Sequence, residues 1–367
     1  MQTSVPDTQA KGSTRGAFGA VWLAGALILT VLAFVGAGYA YRRREVAQVE
    51  RQNGEELSVI ARLKIAELQD WRRERLADVR STSESPFFKK AVEDWMHKSV
   101  PGKMRDEIQE RLHLEHAHKG YAAALLVDPE GHVLVSAQNG LGMLEPATRA
   151  SLTQALSERR AMLSGLYPGS SGQIFVDAVG PLLATDGTPL GAVILRSDAA
   201  SDLYPMVETW PAPSASAETL IVTRDHGDVV FLNELRHQKS TALRLRLSLA
   251  RGDLPAVQAV TGRLGLWRGR DYRGEKVLAY LAPIEGSDWW MVAKVDAAEL
   301  LAEVRARLRV VGLALALLCG LVLAGGAFAL QRRRTAVFRR LLEASSPTSL
   351  PRFCGTANRS SDSTTTS

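Results

Sequence analysis

The sequence predicts an α+β protein in which two apolar helices bracket a long amphipathic helix and two modules built on antiparallel sheets. Three observations predict it. Residues 17–41 and 310–330 each lack any charged side chain, and each run exceeds the roughly 20 residues a helix needs to cross a bilayer core. Between them the apolar periodicity is helical first and then turns to short strands separated by Gly, Pro and Asp. That strand order then repeats. Asp128 and Asp225 open matching hairpin turns 97 residues apart, Pro181 and Pro283 close matching strands 102 apart, and Asp198 and Asp296 follow the last strands 98 apart. Such ordered self-similarity is a fold-level signal of one unit used twice.

The elements follow in order. Residues 1–16 are polar and predict a disordered start. The run 17–41 follows Lys11 and Arg15 as a secretory signal would, but it is much longer than a 7–15-residue signal core, so a retained transmembrane helix is the better reading. Arg42–Val79 contains no proline and one glycine, Gly54. Its Leu57, Ile60, Leu63, Leu68, Trp71 and Val79 recur at helical spacing, which predicts one long helix with a buried stripe. Phe87–Trp95 and Met104–Leu114 predict two further helices, split by Pro101-Gly102, so that 42–114 is helical throughout.

The first sheet module spans 115–210. Tyr121–Val127 and His132–Ala137 flank Asp128-Pro129-Glu130-Gly131, a hairpin signature. Pro146–Arg160 predicts a helix, Ile174–Val179 and Leu190–Leu195 strands, and Asp198–Val207 a closing helix. Trp210-Pro211-Ala212-Pro213-Ser214 is the joint to the second module, 211–309. There Thr219–Thr223 and Val229–Leu232 predict a hairpin and Leu254–Thr261 a helix. Val277–Ile284 and Trp289–Val295 predict a strand pair, and a helix from Asp296 enters the second apolar run. Residues 331–344 continue as a basic juxtamembrane helix. The Ser/Thr-rich 345–367 cannot build a core and predicts a disordered tail.

Composition excludes several classes. The chain has 367 residues, a net charge of +6 and two cysteines. Cys319 lies in the second apolar run and Cys354 in the tail, so the middle segment is no disulfide scaffold and depends on core packing. Much of the basic excess flanks the apolar runs, as at Arg42, Arg43, Arg44, Arg332, Arg333 and Arg334, where membrane flanks explain it; no nucleic-acid partner is expected. Seven Lys or Arg lie near the spans on each side, so charge alone leaves the orientation open. No nucleophile elbow or Gly-rich phosphate loop occurs, and no enzyme activity or cofactor is expected.

Four residues are candidates for a ligand site. Asp177 interrupts an apolar strand, and an isolated buried carboxylate is costly, so it must meet a cation, a donor or a ligand. Arg196, ending the next strand, is its obvious partner, either as a plain salt bridge or as a pocket pair. Tyr167 and Tyr121 are candidates for the same pocket, or ordinary core tyrosines. His113, His116 and His118 cluster, and the first two share a helix face, but a tetrahedral zinc site needs more ligands; no metal is expected.

Several stretches resemble the double Cache sensor region of bacterial transmembrane receptors. They are Gln69-Asp70-Trp71 with Glu74-Arg75, Asp202-Leu203-Tyr204-Pro205 before Trp210-Pro211, and Asp271-Tyr272-Arg273-Gly274 leading through Pro283, Trp289 and Val292-Ala293-Lys294-Val295-Asp296. The resemblance covers roughly 42–309. It implies two PAS-like modules on the long helix, the membrane-distal one binding a small ligand and the proximal one relaying the change. It also implies an extracytoplasmic middle segment, both termini in the cytoplasm of a bacterial inner membrane, and a homodimer. Amino-acid-binding relatives carry an Arg-x-Trp pattern and an Asp on the last pocket strand. This chain has no Trp between Met96 and Thr209 and has Arg196 where that Asp is expected, which favours an anionic ligand. Relatives carry a kinase, cyclase or methyl-accepting output domain, and none is legible after 330. The expected function is a small-molecule receptor derived from a truncated sensor kinase or cyclase. The alternatives are a complete anchored binding protein served by a separate kinase and a ligand-free envelope protein.

Overall fold

The computed structural model describes residues 14–97, 103–138 and 143–344. The polar start before Thr14, the Pro101-Gly102 break and the tail 345–367 lie outside the described residues. Backbone contacts divide the chain into one unit of Glu45–Arg305 and another made of the two terminal segments.

Helix α1 (Thr14–Ser83) begins just before the first apolar run and continues unbroken for 70 residues. Leu57, Ile60, Ala61, Leu68, Trp71 and Val79 are buried at spacings of one or two helical turns or side by side, so one stripe of α1 faces the sheets. Leu63 was expected on that stripe but is half exposed. The neighbouring Lys64 takes the place instead, burying its aliphatic stem and pairing its amine with Glu67 at 3.0 Å. Helices α2 (Pro86–His97) and α3 (Lys103–Lys119) follow.

The first sheet holds β1 (Ala123–Val127), β2 (Val133–Ser136), β3 (Met162–Leu163), β4 (Tyr167–Pro168), β5 (Ile174–Leu183) and β6 (Pro189–Asp198). Its order is β2-β1-β6-β5-β3, with β4 also on β5, and all described pairings are antiparallel. Strand alternation divides its side chains between two layers. Ala124, Leu126 and Leu195 pack with Val79, Phe88, Ile108 and Leu112 of α1–α3. Ala123, Leu125, Val127 and Ile194 pack with Leu152 and Ala155 of α4 (Pro146–Glu158). Pro181 lies inside β5 rather than at its end. β1 and β6 approach closely at Gly191, whose φ is 137° and where a Cβ would lie 1.9 Å from the Val127 carbonyl oxygen.

The expected helix Asp198–Val207 is two short ones, α5 (Ala199–Asp202) and α6 (Tyr204–Glu208). Pro205 has no N–H to donate and its ring excludes the carbonyl four residues back, so the helix restarts there.

The second sheet holds β7 (Glu218–Asp225), β8 (Asp228–Phe231), β9 (Arg246–Ser248), β10 (Gly265–Arg270), β11 (Lys276–Pro283) and β12 (Trp289–Asp296), in the order β10-β11-β12-β7-β8-β9. Helix α7 (Pro255–Val260) covers the face bearing Leu220, Val222, Ala279 and Val292. In each sheet a leading hairpin pairs with the last strand, which pairs with the strand before it. The repeat expected from the turn spacing is thus a repeat of strand order. Four strands escaped the sequence reading. β3 and β4 have two residues each, and β9 and β10 are edge strands in which arginines and glycines interrupt any apolar run.

Asp198 and Asp296 both stand at the starts of short helices, α5 and α8 (Ala297–Leu300). Helix α9 (Ala302–Ala344) comes next. Within it Val304–Ala329, with a mean hydropathy of 2.4, is the one stretch among the described residues long and apolar enough to cross a membrane. The first apolar run forms the opening turns of α1, where Ile28, Leu29, Leu32 and Val35 are exposed.

Candidate functional site

Asp177 on β5 faces Arg196 on β6 in direct register. Both are buried, at 0% and 7% exposure. The guanidinium grips the carboxylate with two parallel bonds, Nε to Oδ1 and Nη2 to Oδ2, both 3.0 Å. Such bidentate pairs are the strong form of ionic hydrogen bond. Two hydroxyls also donate to Oδ2 at 2.6 Å, those of Thr148 on α4 and Tyr167 on β4. The backbone is locked as well, since Asp177 N–H donates to Ser164 Oγ and Ser164 N–H to the Asp177 carbonyl, each at 2.8 Å. Arg196 also lies 5.5 Å from the Tyr167 ring and 5.4 Å from the Phe175 ring.

The electrostatics follow from this packing. Burial, then the Asp177 charge, pushes the Tyr167 hydroxyl well above its ordinary range, so it remains a neutral donor. Burial works against the Arg196 cation, but the bond and charge of Asp177 outweigh it and raise its pKa. The carboxylate meets four donors, which fills its capacity. The cluster carries one charge of each sign beneath α4.

Three of the four expected site residues therefore meet. Tyr121 does not join them, because it lies on the opposite, α1–α3 layer of the sheet. Its hydroxyl donates to Asp78 at 2.6 Å and the Arg75 guanidinium stacks 4.9 Å from its ring. Burial, then Asp78, pushes the Tyr121 hydroxyl up. Burial would also raise Asp78, but bonds from Lys119 and Tyr121 carry it below its usual value. The two sheet faces separate the tyrosines, and the sequence offered no register to tell which face each would take. Thr148 and Ser164 were missed. A buried carboxylate needs donors, so small hydroxyls on the flanking elements were the available signal.

In the histidine cluster, the His116 ring contacts the Tyr121 carbonyl at 2.5 Å and the Gln138 amide at 3.2 Å, and the His113 ring lies 6.2 Å away. Among the described residues no group of three or more His, Cys, Asp or Glu is placed to hold a metal ion.

The second sheet places a buried cation, Lys294, where the first has Arg196, two residues before the closing Asp. Its cross-strand neighbour on β11 is Ala279, so the acids come from elsewhere. Glu218 of β7 lies at 2.8 Å and Asp271 of the β10–β11 turn at 2.9 Å. Arg273 then bridges Asp271 (2.7 Å) to Asp296 (2.6 Å). Close by, Glu299 of α8 clamps the intermodule linker. It accepts from Ser214 Oγ at 2.8 Å, Ala215 N–H at 3.1 Å and Ser216 N–H at 2.9 Å, and also from the Ser216 hydroxyl. Burial opposes the Glu299 charge, but these donors hold its carboxyl below the usual range.

No known protein-family profile and no curated protein matches the chain. Solved structures do. The ligand-binding domain of the Campylobacter jejuni chemoreceptor Tlp3 in complex with L-valine is similar at a TM-score of 0.52 and 12% identity, covering 70% of this chain and 97% of that one. The sensory domain of the same receptor gives 0.51 at 12% identity, covering 70% and 98%. Its complex with 4-methylisoleucine gives 0.50 at 12%, covering 69% and 94%. At such identity the likeness is one of fold, and it agrees with the doubled strand order described above. This chain thus carries the double Cache fold of bacterial chemoreceptor ligand-binding domains.

Proposed function

We propose that this protein is a membrane-anchored bacterial receptor that senses a small molecule outside the cytoplasm. The observation that carries the proposal is the Asp177–Arg196–Tyr167–Thr148 cluster, buried beneath α4 in the first module of a double Cache fold. The Tlp3 domains of the same fold are described in complex with L-valine and 4-methylisoleucine. The ligand here is a small polar molecule bearing a carboxylate. Arg196 is the group that would receive that carboxylate, and Asp177 already balances its charge. An incoming anion therefore competes with Asp177, whereas an amino acid offers a group of each sign to the pair.

Residues 17–41 and 310–330 would be the two spans, with 42–309 exported and both termini cytoplasmic. The signal would leave through the Glu299 clamp, which ties the linker between the modules to the helical segment entering α9. A ligand moves that segment only if it binds one of two arrangements better. Output would pass to a kinase or cyclase module, on the same polypeptide or on a separate partner. Exposed Val59 and Leu63 on α1 would seat a second copy. The test is a thermal-shift screen of carboxylates and amino acids on the full chain in detergent. A ligand-dependent rise that Asp177→Asn abolishes supports the reading, and a rise that survives that variant rejects the site.

A further inference from the structure

The second module holds a groove of about 450 Å³ among α1, β10, β11 and the segment that enters α9. Leu278, Ala297, Leu300 and Leu301 make it apolar, while Arg270 and Lys276 make one side basic. We propose that the groove binds one anionic phospholipid, its phosphate on Arg270 and Lys276 and an acyl chain along the leucines. The inference rests on the membrane-anchored reading above.

The cations point to an anion. Arg270 of β10 and Lys276 of β11 are cross-strand partners, so they stand side by side on one face of the sheet. Like charges directly opposite each other destabilise a sheet. Elsewhere in this module such charges are matched: Arg268 pairs with Glu50 of α1 at 2.6 Å, and Lys294 with Glu218 and Asp271. Among the described residues no acid pairs with Arg270 or Lys276. The Arg270 Nη1 donates to the Gly274 carbonyl at 2.7 Å, which fixes the guanidinium and leaves its other N–H groups to a ligand. A phosphate is the anion that two adjacent cations hold with charge-assisted bonds.

The leucines and the place in the chain point to a lipid rather than a free phosphate. Two contacts show how β10 runs along α1. Leu266 packs on Gly54, where a Cβ would lie 2.9 Å from it, and Arg268 meets Glu50 one helical turn earlier. Arg270, two residues on, therefore lies nearer the end of the unit at which α1 enters it, at Glu45. Leu301 on the other wall is four residues from Arg305, where the unit ends, and three from Val304, where the apolar stretch of α9 begins. Both apolar runs thus join the chain beside this groove. Basic segments next to a span attract anionic headgroups, and an acyl chain removes the leucines from water.

The test is native mass spectrometry of the full chain released from a neutral detergent, with phosphatidylglycerol, phosphatidylcholine or glycerol 3-phosphate added. The chain retains one phosphatidylglycerol in preference to phosphatidylcholine and does not retain glycerol 3-phosphate. Arg270→Gln with Lys276→Gln weakens that retention tenfold or more, through two lost ionic contacts. Both side chains are exposed, so the lipid-free melt of this variant stays at the wild-type value. Leu301→Gln weakens retention with the cations intact. Arg43→Gln with Arg44→Gln, on the flank of the first apolar run, leaves it unchanged. Equal retention of the two phospholipids overturns the proposal, as does a preference that survives the Arg270–Lys276 variant or that the flank variant removes. Glycerol 3-phosphate held as tightly as the lipid identifies a free-phosphate site and overturns it too. A chain that stays in solution without detergent overturns the membrane reading as well, whereas one that needs detergent but shows no lipid preference overturns this proposal alone.

Discussion

Replacing Asp177 with alanine should be among the most damaging single changes in this protein. The side chain is fully buried and its carboxylate receives two bonds from Arg196 and one each from Thr148 and Tyr167. Truncation strands a buried guanidinium and two hydroxyls. Breaking one side of a buried ion pair costs about 3–5 kcal/mol. In a unit of this size, each kcal/mol lowers Tm by about 2–4 °C, so a fall of roughly 6–20 °C is expected. The assay is circular dichroism melting of the full chain in detergent. A companion variant isolates the cause. Asp177→Leu with Arg196→Met removes both charges, and replacement of a whole buried pair by apolar groups is often nearly neutral. The double variant should therefore be more stable than Asp177→Ala. A loss under about 1 kcal/mol for Asp177→Ala, far below what a broken buried pair costs, would refute the reasoning. So would a double variant no better than the single one.

Three other outcomes follow from the same geometry. Lys294 and Arg273 hold the Asp271 carboxyl below its ordinary value against the opposing effect of burial. Its unfolded form binds protons more readily, so the stabilisation is present above the unfolded value of about 3.9 and is lost as pH falls through the lower folded value. Melting followed from about pH 6 to pH 3 should show that loss, and Asp271→Asn should flatten it. Gly191→Ala places a Cβ 1.9 Å from the Val127 carbonyl oxygen at a φ of 137°, so β1 and β6 must part, and denaturant melts should record a loss on the order of 3 kcal/mol. Tyr121→Phe removes the bond to Asp78 and should cost about 1 kcal/mol in the same melts. Because Tyr121 lies on the opposite face of the sheet, any ligand-dependent shift should persist in that variant.

What could be read from the residues and what could not divides along physical lines. The long helix was legible because Leu57, Ile60, Leu68, Trp71 and Val79 recur at helical spacing over a stretch free of proline. The doubling was legible because Asp128 and Asp225, and Asp198 and Asp296, mark the same corners of two sheets. The pairing of Asp177 with Arg196 was legible because a buried carboxylate must find a cation. Faces were harder. Leu63 differs from Lys64 by one position, and a 100° step moves it from core to solvent. Tyr121 and Tyr167 look alike in sequence, yet the fold presents them to opposite layers. The edge strands β9 and β10 carry no apolar run, since the sheet protects only one side of each. The donors Thr148 and Ser164 and the clamp at Glu299 depend on contacts between distant segments, which local pattern does not encode.

The most direct test of the receptor reading is a thermal-shift titration of carboxylates and amino acids on the full chain, run in parallel on Asp177→Asn, Arg196→Met and Tyr121→Phe. The account predicts that at least one compound raises the melting temperature of the wild type and of Tyr121→Phe, and fails to do so for both charge-pair variants. A library that leaves the wild type unmoved would contradict it, as would a shift that Asp177→Asn and Arg196→Met retain.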